Sequence, residues 1–131
     1  MAANTSPIFE EVITCGTPQT FASGDTTTKK TLVTAGSDGT RIDSIMCSTD
    51  DTTTVNLAFY ISISSTDYYI GNVNLPIGAG YTTVARVDAI TTLAPILGYL
   101  ALPASALLKC NCVATMTAAK TTTVVPVGGD Y

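Results

Sequence analysis

The chain has 131 residues, a net charge of −4 and a hydrophobic fraction of 46%, while only 12% of its residues are charged. This length fits one domain with its own core, and so apolar a composition with so few charges excludes an intrinsically disordered chain. Nucleic-acid binding requires basic residues clustered on one face. The six basic residues of this chain are scattered along it, so we expect no nucleic-acid partner: Lys29, Lys30, Arg41, Arg86, Lys109 and Lys120.

The first residues predict an arm followed by one domain. We assign residues 1–16 to an N-terminal arm or first irregular segment, and residues 17–131 to a β-sandwich domain. The N-terminus lacks a basic region followed by an apolar one, so we expect no signal peptide. Ile8 to Cys15 fits either one helical turn or an irregular strand. Its exposed apolar residues could dock on a neighbouring subunit or fold back on their own domain.

The next elements alternate between loops and strands. The pattern predicts a loop over 21–25, a strand over 29–35, a turn over 36–39 and a strand over 41–48. The turn follows from its glycines, which accept positive φ, and its aspartate. Within the second strand the apolar positions change parity between Ile42 and Ile45. That change indicates either a β-bulge or burial on both faces.

Val55 to Ile63 carries the clearest pattern. Its odd-numbered residues are all apolar, and its even-numbered ones are small or polar apart from one tyrosine. Side chains alternate along a strand, so one face is continuously apolar. Burying its five side chains would contribute on the order of 10 kcal/mol before entropy is counted. The stretch therefore predicts a strand in a sheet that a second layer covers.

The remaining chain predicts further short strands. They cover 68–75, 81–90, 99–102, 107–116 and 121–127, with a tail over 128–131. Two strands joined as closely as 55–64 and 68–75 should form an antiparallel hairpin. Pro95 blocks a helix over 93–98, which we interpret as a loop with buried Leu and Ile. No apolar run approaches the ~20 residues that span a bilayer, so we expect no membrane segment.

Strands at intervals of 8–12 residues, without a long helix, define the expected fold class. They predict an all-β protein, an antiparallel β-sandwich or jelly-roll-like barrel in a single domain. Catalytic chemistry is not indicated, because the chain has no histidine and no serine in a Gly-x-Ser-x-Gly turn. We therefore expect no enzyme activity, and assign no catalytic, cofactor-binding or metal residues and no cofactor.

Cysteines and carboxylates offer weak alternatives to that interpretation. Cys110 and Cys112 share one face of a strand, where they could bind zinc, form a disulfide or simply pack as small hydrophobic side chains. Without a secretory route, free buried thiols are the expectation. Asp50 and Asp51, and the turn around Asp38, could bind calcium but lack the regular spacing of a calcium loop. Turn formation explains them better.

Two surface groupings are also indicated. Arg41 and Asp43 share a strand face and could form a surface pair, which stabilises little. Four tyrosines could form an aromatic platform for a sugar, or could instead cap the sandwich or lie in a subunit interface. They are Tyr60, Tyr68, Tyr69 and Tyr81.

The chain also has 24 threonines. A threonine-rich, charge-poor surface suits burial against other subunits, or is simply neutral.

Three segments in fixed order resemble a group of small virion proteins from tailed bacteriophages. The first is 32–45, and the second is 55–60 followed by 67–73 and Pro76. The third is 100–104, then the 107–116 strand, then 123–131 with its Gly-Gly-Asp-Tyr ending. Relatives of this kind are β-sandwich proteins associated with capsids and have few cysteines, so Cys110 and Cys112 depart from the pattern.

The resemblance implies a head decoration, or cement, protein. Such a protein would bind the assembled phage head and bridge neighbouring major capsid proteins, as a homo-oligomer, possibly a trimer. It would reside on the capsid surface of the virion after synthesis in the host cytoplasm. The alternative is a fibre- or spike-associated binding module that recognises a host surface glycan or receptor.

Overall fold

A computed structural model describes residues 12–131; most of the predicted arm, residues 1–11, lies outside the described residues. The strands are β1 (Val12–Thr14), β2 (Gln19–Ala22), β3 (Lys30–Thr34), β4 (Thr40–Thr49), β5 (Val55–Ile63), β6 (Thr66–Leu75), β7 (Val87–Asp88), β8 (Leu100–Leu102), β9 (Leu107–Cys112) and β10 (Thr121–Asp130). A 3₁₀ turn (Ser23–Asp25) and a short helix α1 (Ile90–Leu93) complete the elements.

These strands form two antiparallel sheets. Sheet A is centred on β10 and β4; β1 and β2 pair with β10, and β7 and β8 pair with β4. Sheet B has the order β3-β9-β5-β6. Buried apolar side chains from both sheets belong to one cluster. The protein is therefore all-β, as the sequence predicts, with the two covered faces that a β-sandwich requires.

The strand pairs are nested along the chain. The innermost pair is β5 with β6; outside it β4 pairs with β7 and β8, then β3 with β9, then β2 with the start of β10, and outermost β1 with the end of β10. Two further pairings, β10 with β4 and β9 with β5, join strands that the nesting leaves apart. The chain thus forms one long antiparallel hairpin that is doubled over on itself.

The predicted alternation in β5 is confirmed for its odd-numbered residues except at the end of the strand, while Ala58 and Ser62 on the other face are also buried. Val55, Leu57 and Phe59 are buried, and Ile61 packs partly buried against the core. Ile63 is 42% exposed, because it lies at the tip of the hairpin beyond the covering layer. The turn that follows uses Ser64 and Ser65, both with positive φ, the conformation of the tightest hairpin turns.

The parity change in β4 arises from a bulge. Opposite Val127 and Gly128 the register moves from Ser44 to Ile42, so Asp43 is the extra residue. Ile42 and Ile45 consequently both point into the core, where both are buried. Gly128 is required at this site, because a Cβ there would lie 1.9 Å from the Arg41 carbonyl oxygen.

Several predicted boundaries were wrong. The predicted loop over 21–25 contains the end of β2, and its Phe21 is fully buried. The predicted strand over 81–90 is reduced to β7, and β9 ends at Cys112 rather than 116. The tail over 128–130 is instead the last part of β10. The loop after α1 exposes Ile96 and Leu97, which were predicted to be buried.

Truncating the core of β5 should be much more costly than truncating its tip. Phe59→Ala removes a fully buried ring and should lower the free energy of unfolding by about 3–5 kcal/mol. Ile63→Ala, on the same face of the same strand, should cost less than about 1 kcal/mol because that side chain is already in contact with water. Urea denaturation of both variants checks this; equal losses would contradict the described packing.

Candidate interaction surface

The outer face of sheet B carries a group of aromatic and charged side chains. Tyr60 on β5 lies opposite Tyr69 on β6 and Lys109 on β9. The two tyrosine rings meet edge to face, with centroids 5.8 Å apart, a favourable aromatic geometry. We call Lys29, Tyr60, Asp67, Tyr69 and Lys109 the sheet B cluster.

Asp67 joins the two lysines of this cluster. Lys29 Nζ lies 2.9 Å from Asp67 Oδ2, and Lys109 Nζ lies 3.3 Å from Asp67 Oδ1. The hydrogen bond from Lys29, followed by one from Ser62, lowers the pKa of Asp67 to about 2. The carboxylate is therefore ionised at neutral pH, and the cluster has two positive charges and one negative charge.

A connecting segment places Lys29 over the aromatic pair. Asn111 Nδ2, on the outer face of β9, donates a hydrogen bond to the carbonyl oxygen of Thr27 at 3.0 Å. This bond holds the chain before β3 against the sheet. Lys29 Nζ then lies 3.9 Å from the centre of the Tyr60 ring, within the range of a cation–π interaction.

A groove continues from Lys109 towards the hairpin turn. It encloses about 450 Å³ and is lined mainly by the segments 62–65 and 104–107. The first segment is the turn between β5 and β6, and the second connects β8 to β9. We call this end of the two sheets the tip end. The loop end is the opposite one, formed by segments 50–54, 76–86 and 113–120.

Exposed apolar side chains occur at both ends. At the tip end Ile63 and Tyr68 are 42% and 55% exposed, and at the loop end Ile77 and Tyr81 are 54% and 56% exposed. The eight residue steps of β5 separate the two ends by about 25 Å, from the rise per residue of a strand. Exposed apolar side chains that form one contiguous patch are typical of surfaces that bind another molecule.

The structure assembles only part of the predicted tyrosine platform. Tyr60 and Tyr69 are in contact, whereas Tyr68 lies opposite Ile61, on the other face of the hairpin. Tyr81 belongs to the loop end, where its backbone bonds to Gly78. The lysines and Asp67 were not assigned to this site from sequence, because they come from three separate segments.

The candidate cysteines lie inside the molecule. Cys110 and Cys112 are buried free thiols, and so is Cys47. Burial raises the pKa of Cys112 to about 11 and of Cys47 to about 12, so both remain protonated at neutral pH. Over residues 12–131, no three histidine, cysteine or acidic side chains are grouped as a metal site would require.

Two of the candidate calcium ligands, Asp50 and Asp51, instead hold the loop end together. Asp51 is buried and accepts hydrogen bonds from the backbone and hydroxyl groups of Thr53 and Thr117. Asp50 accepts one from the backbone N–H of Thr121 at 2.7 Å. Asp51 thereby ties the loop before β5 to the loop before β10. The predicted surface pair of Arg41 and Asp43 also forms, at 2.7 Å.

No protein-family model matches the chain, and no curated protein matches it. Within the described residues, no helix has the length and hydropathy needed to cross a membrane.

The hydrogen bonds that Asp51 accepts should make the free energy of unfolding depend on pH. Burial is the largest influence on its pKa and raises it, but the bonds from Thr117 and Thr53 together outweigh burial and lower the pKa to about 2. Because the folded-state pKa lies below the unfolded-state value of about 3.8, this stability is complete above pH 4–5. It is lost as the pH falls towards 2, by about 2 kcal/mol.

Asp51→Asn should cost about 1–3 kcal/mol at pH 7, because an amide cannot accept all four bonds, and should flatten the pH dependence between 5 and 2. Asp43→Asn is the matched control, since that carboxylate is exposed and its surface pair contributes below about 1 kcal/mol. Urea denaturation from pH 7 to pH 2 measures both. An unchanged pH profile in Asp51→Asn would refute the role assigned to Asp51.

Proposed function

We propose that this protein is a structural virion protein, a decoration protein that binds the assembled head of a tailed phage and bridges neighbouring major capsid proteins. The observation that carries the proposal is the exposure of apolar side chains, Ile63 with Tyr68 and Ile77 with Tyr81, at opposite ends of one two-sheet body. A bridge needs two contact surfaces held at a fixed separation, and the sheets supply that separation.

The nested strand order supports a jelly-roll assignment. In a jelly roll, a long antiparallel hairpin is wrapped so that its two arms alternate between two sheets. The pairs β5–β6, β4–β7, β3–β9 and β2–β10 have that relation, and they divide alternately between sheet B and sheet A. Viral capsid domains use this architecture, but lectins and cupins do too. The fold is therefore compatible with the proposal, and the surfaces carry it.

Binding after assembly would follow from where the contacts lie. Two surfaces about 25 Å apart can both be in contact with the capsid only where two capsid subunits are already held side by side. Each bound copy then stabilises the shell by mass action. Many copies on a symmetric lattice, or a homo-oligomer such as a trimer at a symmetry axis, would add avidity. The protein would then be synthesised in the host cytoplasm and reside on the capsid surface.

Head binding should be specific for the assembled state. The purified protein should co-sediment with expanded, empty heads of the phage that encodes it, and not with free capsid subunits. Ile63→Asp at the tip end and Ile77→Asp at the loop end should each lower occupancy at least tenfold, since both contacts are needed for a bridge.

The matched control is Ile96→Asp, because Ile96 is 96% exposed and belongs to neither end; its occupancy should equal that of the unchanged protein. Absence of binding to expanded heads, or equal binding to free subunits, would exclude a decoration role. Loss of occupancy in Ile96→Asp alone would exclude the two-ended contact.

The N-terminal residues provide a separate test. Val12 pairs with Asp130 at the tip end, next to one proposed contact. Deleting residues 1–11 leaves β1 intact and should weaken head binding without changing the urea midpoint. Unchanged occupancy on sedimented heads would remove these residues from the contact.

A further inference from the structure

We propose that the outer face of sheet B is a saccharide-binding surface, formed by the sheet B cluster and the amides beside it, which takes an oligosaccharide bearing a carboxylate. This activity goes beyond head binding, which is assigned to the two ends of the sheets. A decoration protein with such a face would hold the virion against a sugar-coated surface.

The aromatic part of the site is exposed and fixed in place. Tyr69 is 59% exposed, although its ring edge contacts Tyr60 at 5.8 Å between centroids. Lys29 packs on the Tyr60 ring from the next segment, which restrains Tyr60 in turn. A tyrosine that offers an apolar ring and a polar hydroxyl suits the mixed surface of a sugar ring.

Polar groups surround this ring on the same face. Asn72 and Asn74 are exposed on β6, and Asn74 Nδ2 donates to Asn56 Oδ1 at 3.1 Å. Asn111 Oδ1 is buried and has no hydrogen-bond partner among the described residues, whereas a buried amide oxygen normally has one. Amide groups of this kind give orientation and specificity in ligand sites.

The net positive charge of the sheet B cluster favours a sugar that bears a carboxylate. Asp67 is shared between Lys29 and Lys109, so the cluster keeps one net positive charge on a chain whose net charge is −4. Each ammonium has three donors, and the structure assigns one donor of each to Asp67. The others can bind a uronate carboxylate placed beside Tyr69, with the groove next to Lys109 receiving the adjoining residue.

The test is binding to an array of oligosaccharides from bacterial surfaces that contains neutral and uronate-bearing members, followed by calorimetric titration of the strongest binder. We expect uronate-bearing members to bind and the neutral ones to bind at least tenfold more weakly. Tyr69→Ala should lower affinity at least tenfold, and Tyr69→Phe should retain most of it because the ring remains. Lys109→Met should lower affinity for uronate-bearing members.

Tyr81→Ala is the matched control, because Tyr81 is equally exposed but lies at the loop end; its affinity should be unchanged. Thermal denaturation of each variant verifies the fold. Absence of binding on the whole array would overturn the proposal, as would equal loss in Tyr69→Ala and Tyr81→Ala. Preference for neutral sugars would overturn the role of the lysines. If Tyr69→Ala instead abolishes head binding and no saccharide binds, the face is a capsid contact and the saccharide proposal is wrong.

Discussion

The whole molecule depends on the alternation of side chains along its central strands. Leu57 and Phe59 on β5 point towards the residues that β4 and β10 turn inwards, such as Ile45 and Val124, and all four are fully buried. One sheet cannot bury such a face alone, so each sheet requires the other. The outer faces and both ends are thereby freed from core packing. They are the places where binding surfaces can vary without loss of the fold.

Long strands, in which the two-residue alternation repeats several times, could be predicted from sequence, whereas short strands could not. β5 has nine residues and β10 ten, so their patterns repeat several times. β2 and β7 have four and two residues, too few to establish a period. Gly128 and Gly129 were predicted to form a tail because glycine is depleted in strands. They belong to β10 instead, because the neighbouring β4 and β1 supply their hydrogen-bond partners.

The candidate site shows the same division between local and distant information. The contact of Tyr60 with Tyr69 follows from the register of a hairpin whose turn is Ser64–Ser65. The hairpin predicted from sequence, with strands over 55–64 and 68–75, left that register open. The contacts of Asp67 with Lys29 and Lys109 join residues 38 and 42 positions apart. Only the order β3-β9-β5-β6 brings them together, and no local pattern encodes that order.

Four of the six basic residues of this protein pair with carboxylates. Lys29 and Lys109 pair with Asp67, Lys30 with Asp25 and Arg41 with Asp43. Paired surface charges stabilise the fold little, but they lower the field that the protein presents to a partner. The contacts proposed at Ile63, Tyr68, Ile77 and Tyr81 would come from apolar burial, which salt screens weakly. The sheet B cluster is different, because two cations share one carboxylate there, and it is the place where an anionic ligand gains most from electrostatic attraction.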